Sequence, residues 1–341
     1  MEYNPIHFTG ETAQEIHSAV LEANRTAKRK LLRPEDNIKN ERVLTSISGK
    51  VKWQRYKEKI RESDVDTLAA NNGPDRIKFG DRKVLPKKVM AFDNWTMDNL
   101  RSSRFGKSMQ AGAANIGSTE FEQATTSYLI PRMGKSYEEL IYQSITAETK
   151  DAIANSGTIP AAQKAWAAAQ EEGEFDGLIA KLITANNSLV GGGVVKHVVA
   201  VAGGVNTSNI VAEYARIYAQ IDKAELEEGL VRIFAPLEDY QTMELCNLNQ
   251  EFKDKFKITG QGEDTVVTFA NIPVEFVPTG GPRFAGRAGE QGDFVHATDL
   301  ESDTTEFKVD KVNNMSDDLF FKMVAAADTT VLNSSRKVLY I

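Results

Sequence analysis

A single cysteine, Cys246, stands among 341 residues, which excludes an internal disulfide framework. No run approaches the roughly 18 consecutive apolar residues of a membrane-spanning helix, so no span is expected. The first residues, MEYNPIHFTGETAQ, lack a basic start followed by an apolar core, so no signal peptide is expected there. Histidine is scarce. His7, His17, His197 and His296 form no HExxH or other paired metal spacing, and His197 reads as a packed strand histidine. Two segments, Phe105-Gly-Lys-Ser and Met133-Gly-Lys-Ser, resemble the end of a phosphate loop. The glycine such a loop needs five residues earlier is Arg101 in one and Leu129 in the other, so both fail. The glycines at 191–193 and 203–204 make no dinucleotide fingerprint. Cys246 reads as a small buried hydrophobe in a helix. Catalytic, cofactor-binding and metal residues are therefore all expected to be none.

What is present is an ordinary balance, 41% apolar and 26% charged, in a chain long enough for about two domains. The net charge of −7 is unevenly placed. Residues 21–61 hold thirteen Lys or Arg against five Asp or Glu, whereas residues 293–318 hold eight Asp or Glu against two Lys. Such regions attract each other between neighbouring copies, or else are two solvated surfaces.

The chain is organised around the stretch from Gly134 to about Leu189. Ser136 and Glu139 have capping-box spacing, and Tyr137, Leu140, Ile141, Ile145, Ala152 and Ile153 recur at helical period. The pattern predicts a long amphipathic helix over 136–155, with Glu138, Glu148, Lys150 and Asp151 on its polar face, followed by two shorter helices. Upstream, residues 11–32 read as one helix with a stripe of Ile16, Val20, Ala23, Ala27 and Leu31, ended by Pro34. Residues 38–62 are basic. There Trp53, beside Lys52 and Arg55, reads as an aromatic packing anchor in preference to a nucleic-acid platform. Residues 71–133 are polar and glycine-rich, with β-like pieces at Arg82–Ala91 and Glu120–Ile130. They are expected to form a long hairpin with a variable tip, which reaches a partner.

Downstream, Val194–Ala202 reads as a central strand. Ser208 or Asn209 would cap a helix with Ile210, Val211, Tyr214, Ile217, Tyr218 and Ile221 on its buried stripe. A short strand at Leu230–Ala235 and a helix opened by Pro236 follow. Residues 256–277 predict a hairpin and a further strand. Gly280–Gly292 reads as a mobile loop in which Arg283 and Arg287 would contact phosphate. FVHAT, EFKVDKV, LFFKMVAAADTTVL and RKVLYI predict strands, the last three closing one sheet.

An arm, a hairpin, a spine-like helix and a mixed sheet region, without a catalytic constellation, fit an assembling protein. The same order runs through more specific stretches: Glu174-Phe175-Asp176-Gly177-Leu178-Ile179 after the spine, FVHATDL at 294–300, EFKVDKV at 306–312, and the closing VLNSSRKVLYI. In this order and spacing the chain resembles a tailed-bacteriophage major capsid protein. The resemblance implies an α+β, HK97-like capsid fold with an N-terminal arm (1–70), an extended β-hairpin loop (71–130), and a spine helix with peripheral-domain helices (131–190). An axial domain (191–292) and C-terminal strands returning to the peripheral domain (293–341) complete it. It implies a homo-oligomer of hexamers and pentamers forming an icosahedral shell. Portal and scaffolding proteins would be its partners, and double-stranded DNA would meet the inner face non-specifically, with no membrane. It would reside in the virion, and in the host cytoplasm during assembly. The candidate subunit contacts are Trp53, Tyr56, Phe79, Lys83, Trp95, Phe105, Lys107, Tyr137, Glu138, Arg283 and Arg287. An encapsulin-like nanocompartment shell and a mixed α/β enzyme are the alternatives.

Overall fold

Asn24 decides how the chain enters its fold. In a computed structural model of the protein, residues 6–8, 18–20, 22–48, 53–70, 77–96, 119–185, 195–201, 203–248, 255–260, 265–299, 306–311 and 318–341 are described. After strand β1 (Ile6–Phe8), the helix expected over 11–32 is divided, and residues 11–17 and 21 lie outside the described residues. Asn24 caps a separate short helix, α1 (Arg25–Lys28), by accepting from Ala27 N at 2.6 Å. An Asn side chain that offers the backbone this bond favours a helix start over a helix interior. Val20 and Leu31 are buried as the stripe requires, but Thr26 is buried and Ala27 exposed, so the two halves show different faces. Pro34 lies within strand β2 (Arg33–Glu35) and does not end the helix.

Strand β3 (Arg42–Ser48) and helix α2 (Glu62–Ala70) precede strands β4 (Lys78–Val84) and β5 (Lys87–Thr96). The strand expected at Arg82–Ala91 is thus two strands, parted at Leu85-Pro86. There the Leu85 N–H turns to Asp328 Oδ2 at 2.9 Å, and Pro86 has no N–H to offer a ladder. β3 and β4 pair antiparallel with each other, from Arg42↔Val84 to Ser48↔Lys78.

The second expected strand, Glu120–Ile130, is a helix. Helix α3 runs over Thr119–Gln143, with Pro131 inside it at the loss of one backbone hydrogen bond. Threonine and tyrosine suggested a strand, but tertiary burial outweighs that local preference. Leu129, Ile130 and Met133 pack with Val20, Phe321 and Met323. Their spacing continues into Tyr137, Leu140 and Ile141, one helical stripe that runs across Pro131. Ser136 is consequently mid-helix and caps nothing.

The expected 136–155 helix breaks after Gln143. Thr146 caps a new helix, α4 (Ala147–Asn155), by accepting from Thr149 N, and Asp176 Oδ1 accepts from Thr146 N at 2.9 Å. Helices α5 (Ala161–Ala169) and α6 (Leu178–Ala185) follow, and Trp166 is buried where α5 meets its neighbours. Gly177 sits against the break: its N–H donates to Ser144 O at 2.7 Å. A Cβ there would lie 2.9 Å from backbone atoms of Tyr142 and Ser144.

The remainder alternates strands and helices: β6 (Lys196–Val198), α7 (Ile210–Gln220), α8 (Lys223–Glu228), β7 (Val231–Ala235), α9 (Leu237–Leu248), β8 (Phe256–Thr259), β9 (Val266–Phe269), β10 (Ile272–Phe276), β11 (Arg283–Arg287), β12 (Phe294–Thr298), β13 (Glu306–Lys311), β14 (Asp318–Val331) and β15 (Val338–Tyr340). Two larger sheets result. One has the order β1-β13-β14-β12-β2, with β5 also paired to β14, and the other has the order β6-β15-β11-β7-β10-β9-β8. Three expectations change. The apolar run at 194–202 supplies only a short edge strand, because its neighbour on one side alone is β15. Gly280–Gly292 contains a strand, β11, between β15 and β7; its Phe284 is fully buried and stacks on Phe234 at 4.5 Å. The last three strands do not share one sheet, since β13 and β14 lie in the first and β15 in the second.

One core gathers α3–α6 with Phe234, Phe284 and Phe294; another lies under α7 and α9 on the second sheet. Where they meet, Lys337 is completely buried. Its Nζ lies 2.5 Å from Glu225 Oε1 of α8 and 2.5 Å from Asp293 Oδ2 just before β12. Asn333 Nδ2 donates to Asp293 Oδ1 at 2.9 Å. Burial, outweighing the attraction of Lys337, holds Glu225 above the ordinary glutamate range, with Asp293 adding to the rise and Arg336 opposing it.

Two outcomes follow from this packing. Gly177→Ala overpacks the break and costs about 1–3 kcal/mol, read as a lower melting temperature; an unchanged melting temperature contradicts the close approach. Because Glu225 binds its proton more tightly when folded, its contribution to stability is complete below the unfolded carboxyl value, about 4.3. That contribution is lost as pH rises through the raised folded value. Melting temperatures of Glu225→Gln relative to the natural chain should therefore shift in the variant's favour as pH rises through that window, and a pH-independent difference refutes this.

Candidate assembly surface

The basic amino-terminal segment is fixed to the body from α1 through β3, where Leu31, Leu32, Ile38 and Leu44 are buried, and is exposed beyond β3. Thr26 N donates to Glu138 Oε1 at 2.8 Å, Thr26 Oγ1 donates to the same oxygen, and Thr26 Oγ1 lies 3.0 Å from Tyr142 Oη. Arg29 Nη1 donates to the buried Glu275 at 2.9 Å and Nη2 to Thr265 O at 2.8 Å. Arg232 holds the other oxygen of Glu275. One turn of helix therefore touches both α3 and the second sheet.

Past β3 the character changes. Over residues 53–70 Trp53 and Tyr56 are 101% and 85% exposed, and Ile60 and Val65 are exposed too. This segment is held together by Gln54 Nε2 to Leu68 O at 2.8 Å and Lys57 to Asp64 at 2.6 Å. Both are surface contacts of small energy. An amphiphilic segment with most of its large apolar groups in water, Leu68 being only partly buried, has not found its burial within the described chain.

β5 is the second such element. In its pairing with β14, Ala91 and Asp93 lie opposite Met323 and Phe321. Met90 and Phe92 are exposed. Phe92 stacks on Phe320 with centroids 5.8 Å apart, and Lys308 Nζ lies 5.9 Å from the Phe320 ring. Val43, Ile77 and Leu85 extend the exposed apolar surface along the β3–β4 region.

The sequence-predicted contact residues divide into three groups. Trp53 and Tyr56 are on the exposed arm, and Lys83 is exposed on β4 with Glu41 at 2.6 Å. Phe79 and Trp95 are placed by their strands, at Ile47↔Phe79 and Leu319↔Trp95, and Phe105 and Lys107 lie outside the described residues. Tyr137, Glu138, Arg283 and Arg287 are engaged inside the chain. Tyr137 Oη lies 3.0 Å from His296 Nε2, and burial raises the Tyr137 pKa. Glu138, assigned to a polar helix face, is buried under Thr26. Arg283 makes two bonds of 2.6 Å to Asp239, and Arg287 lies 3.0 Å from Glu228, so both cations are paired within the chain rather than offered on a loop. His197 is partly buried, and burial lowers its pKa. Sequence reasoning missed Met90, Phe92 and Phe320; the alternation of Met90 and Phe92 within Lys87–Thr96 was the available signal. Among the described residues no group of three or more His, Cys, Asp or Glu is placed to hold a metal, and no helix is long and apolar enough to cross a membrane.

No protein-family model matches the chain, and no curated protein matches its sequence. Among solved structures it is similar to a chain of the satellite phage P4 procapsid including the size determination (Sid) protein. That similarity covers 98% of this chain and 91% of the other, at 11% identity and a TM-score of 0.55. It is also similar to the capsid of an empty GTA particle, over 93% of this chain and 90% of that one, at 8% identity and a TM-score of 0.50. At such identities the likeness concerns fold. The chain shares an α+β fold with these two capsid chains.

The Thr26 contact has a measurable consequence. Thr26→Val keeps the shape but removes a donor from the buried Glu138, at a cost of about 1–3 kcal/mol. The melting temperature should fall, and Thr26→Ser should restore most of it; equal melting of all three proteins contradicts the anchor.

Proposed function

We propose that this chain is a major capsid protein that assembles into hexamers and pentamers of an icosahedral shell around phage double-stranded DNA. The observation that carries the reading is a fold shared with shell subunits over almost the whole chain. In this reading residues 1–70 are an arm, and β5 belongs to the extended loop, expected over 71–130, that reaches a neighbour. α3 and α4 together take the place of the spine. The first sheet belongs to the peripheral domain and most of residues 191–292 to the axial domain. Portal and scaffolding proteins are its expected partners, in a virion and, before that, a host cytoplasm.

The physical mechanism is deferred burial. Trp53, Tyr56, Ile60, Met90 and Phe92 are exposed in the single subunit and gain burial only on a second copy, each full side chain worth roughly 1.5–3 kcal/mol. Repetition around closed symmetry multiplies these modest contacts into a stable shell. The basic region at 21–61 and the acidic one at 293–318 guide register more than they add affinity. A net charge of −7 argues against a tightly DNA-coating subunit, since neutralising the phosphate backbone needs Lys and Arg; DNA would meet the inner face non-specifically.

Electron microscopy of the purified chain tests this directly, with rings or closed shells as the expected outcome. Trp53→Ala with Tyr56→Ala should leave the subunit's melting temperature nearly unchanged, within about 0.5 kcal/mol of stability, while shells become fewer. A protein that stays monomeric at high concentration ends the reading. Particles purified from a native source that hold a protein cargo and no DNA replace the virion with a nanocompartment.

A further inference from the structure

Where β4 meets α4, α6 and the end of β14 there is a cavity of about 320 Å³. This is within the size range of small-molecule sites. Its floor is apolar, with Ile153, Ile159 and Val331, and its wall carries two cations, Arg82 and Lys181; no carboxylate lines it. Arg82 is only partly exposed, and its Nη2 donates to a neutral acceptor, Ser334 Oγ, at 3.1 Å. Four other partly buried arginines each hold a carboxylate. Arg29 and Arg232 hold Glu275, Arg283 holds Asp239, and Arg287 holds Glu228. A guanidinium drawn out of water without an opposing charge is unfavourable, and desolvation lowers the Arg82 pKa accordingly.

Lys181 has a carboxylate nearby but does not hydrogen-bond it. It lies 3.8 Å from Asp176 Oδ2, but that carboxylate already accepts from Thr146 N, Thr146 Oγ1 and Thr149 Oγ1. Asp328, which also senses Lys181, accepts from the backbone N–H groups of Leu85 and Thr329. The cavity thus joins two cationic side chains, neither hydrogen-bonded to a carboxylate, to an apolar floor.

We propose that this cavity binds an oxyanion on a short apolar stem, a carboxylate between Arg82 and Lys181 with its aliphatic part on Ile153, Ile159 and Val331. The planar guanidinium fork suits a carboxylate's two oxygens, and the floor rewards methylene groups that a bare ion lacks. The carboxylate comes either from a free small molecule or from an acidic side chain of a second copy of the chain.

Thermal melting of the purified protein in sodium butyrate, against sodium acetate and sodium chloride at equal ionic strength, tests the site. Butyrate should raise the melting temperature saturably, by about 2–3 °C at tenfold above its dissociation constant. Acetate should do less. Arg82→Gln should abolish the rise and Arg82→Lys should weaken it. If Arg82→Gln does not fold, Lys181→Gln carries the same comparison. A rise confined to unassembled material separated by gel filtration assigns the natural carboxylate to a neighbouring copy, and a rise in assembled material too assigns it to a free ligand. No difference between butyrate and chloride, or an undiminished rise in both Arg82→Gln and Lys181→Gln, overturns the proposal.

Discussion

The final 24 residues traverse both large sheets, and the crossing is held by one buried ammonium. β14 is the central strand of the first sheet, pairing with β5, β12 and β13, and β15 lies inside the second between β6 and β11. Between them Lys337 places its charge at 0% exposure against Glu225 and Asp293. Replacing such a group with an apolar one is not always harmful, but removing one partner leaves the others buried and uncompensated. Gly286 is shaped by the same cluster: a Cβ there would sit 2.4 Å from Lys337 Cδ. Together with the apolar core that joins Phe234 and Phe284 of one sheet to Phe294 and Val331 of the other, these contacts tie the two sheets.

α1 repeats the logic at the other end of the chain. Glu138, Tyr142 and Glu275 take hold of Thr26 and Arg29, so the basic segment starts from a rigid point. Past β3 the contacts become sparse and Trp53 and Tyr56 are exposed. In the proposed shell, a subunit tight at its centre and unsatisfied at its extensions has a physical reason to meet copies of itself. Burial at the extensions costs little reorganisation of the centre.

Much of this architecture was legible in the sequence. Helices α5 and α7 showed in their spacing, Pro236 marked the start of α9, and the 256–277 hairpin and the strand at FVHAT were plain. The exposure of Trp53 and Tyr56 was foreshadowed by an aromatic pair set among lysines and arginines. The site residues that misled were those with a charge. Glu138, Arg283 and Arg287 looked like surface groups, because sequence shows a charge but not the distant charge or hydroxyl that neutralises it.

Local patterns determined which stretches carry apolar periodicity, where caps and prolines interrupt it, and that no metal or phosphate motif is present. Tertiary structure alone decided that Glu120–Ile130 is helical, that Arg283–Arg287 is a buried strand, and that the spine breaks at Ser144. In each case the deciding partner is remote: Phe321 and Met323 for the first, Phe234 and Lys337 for the second, and Phe175 and Asp176 for the third. Propensities of a few tenths of a kcal/mol per residue are overruled when burial against such partners contributes about 1 kcal/mol or more per side chain.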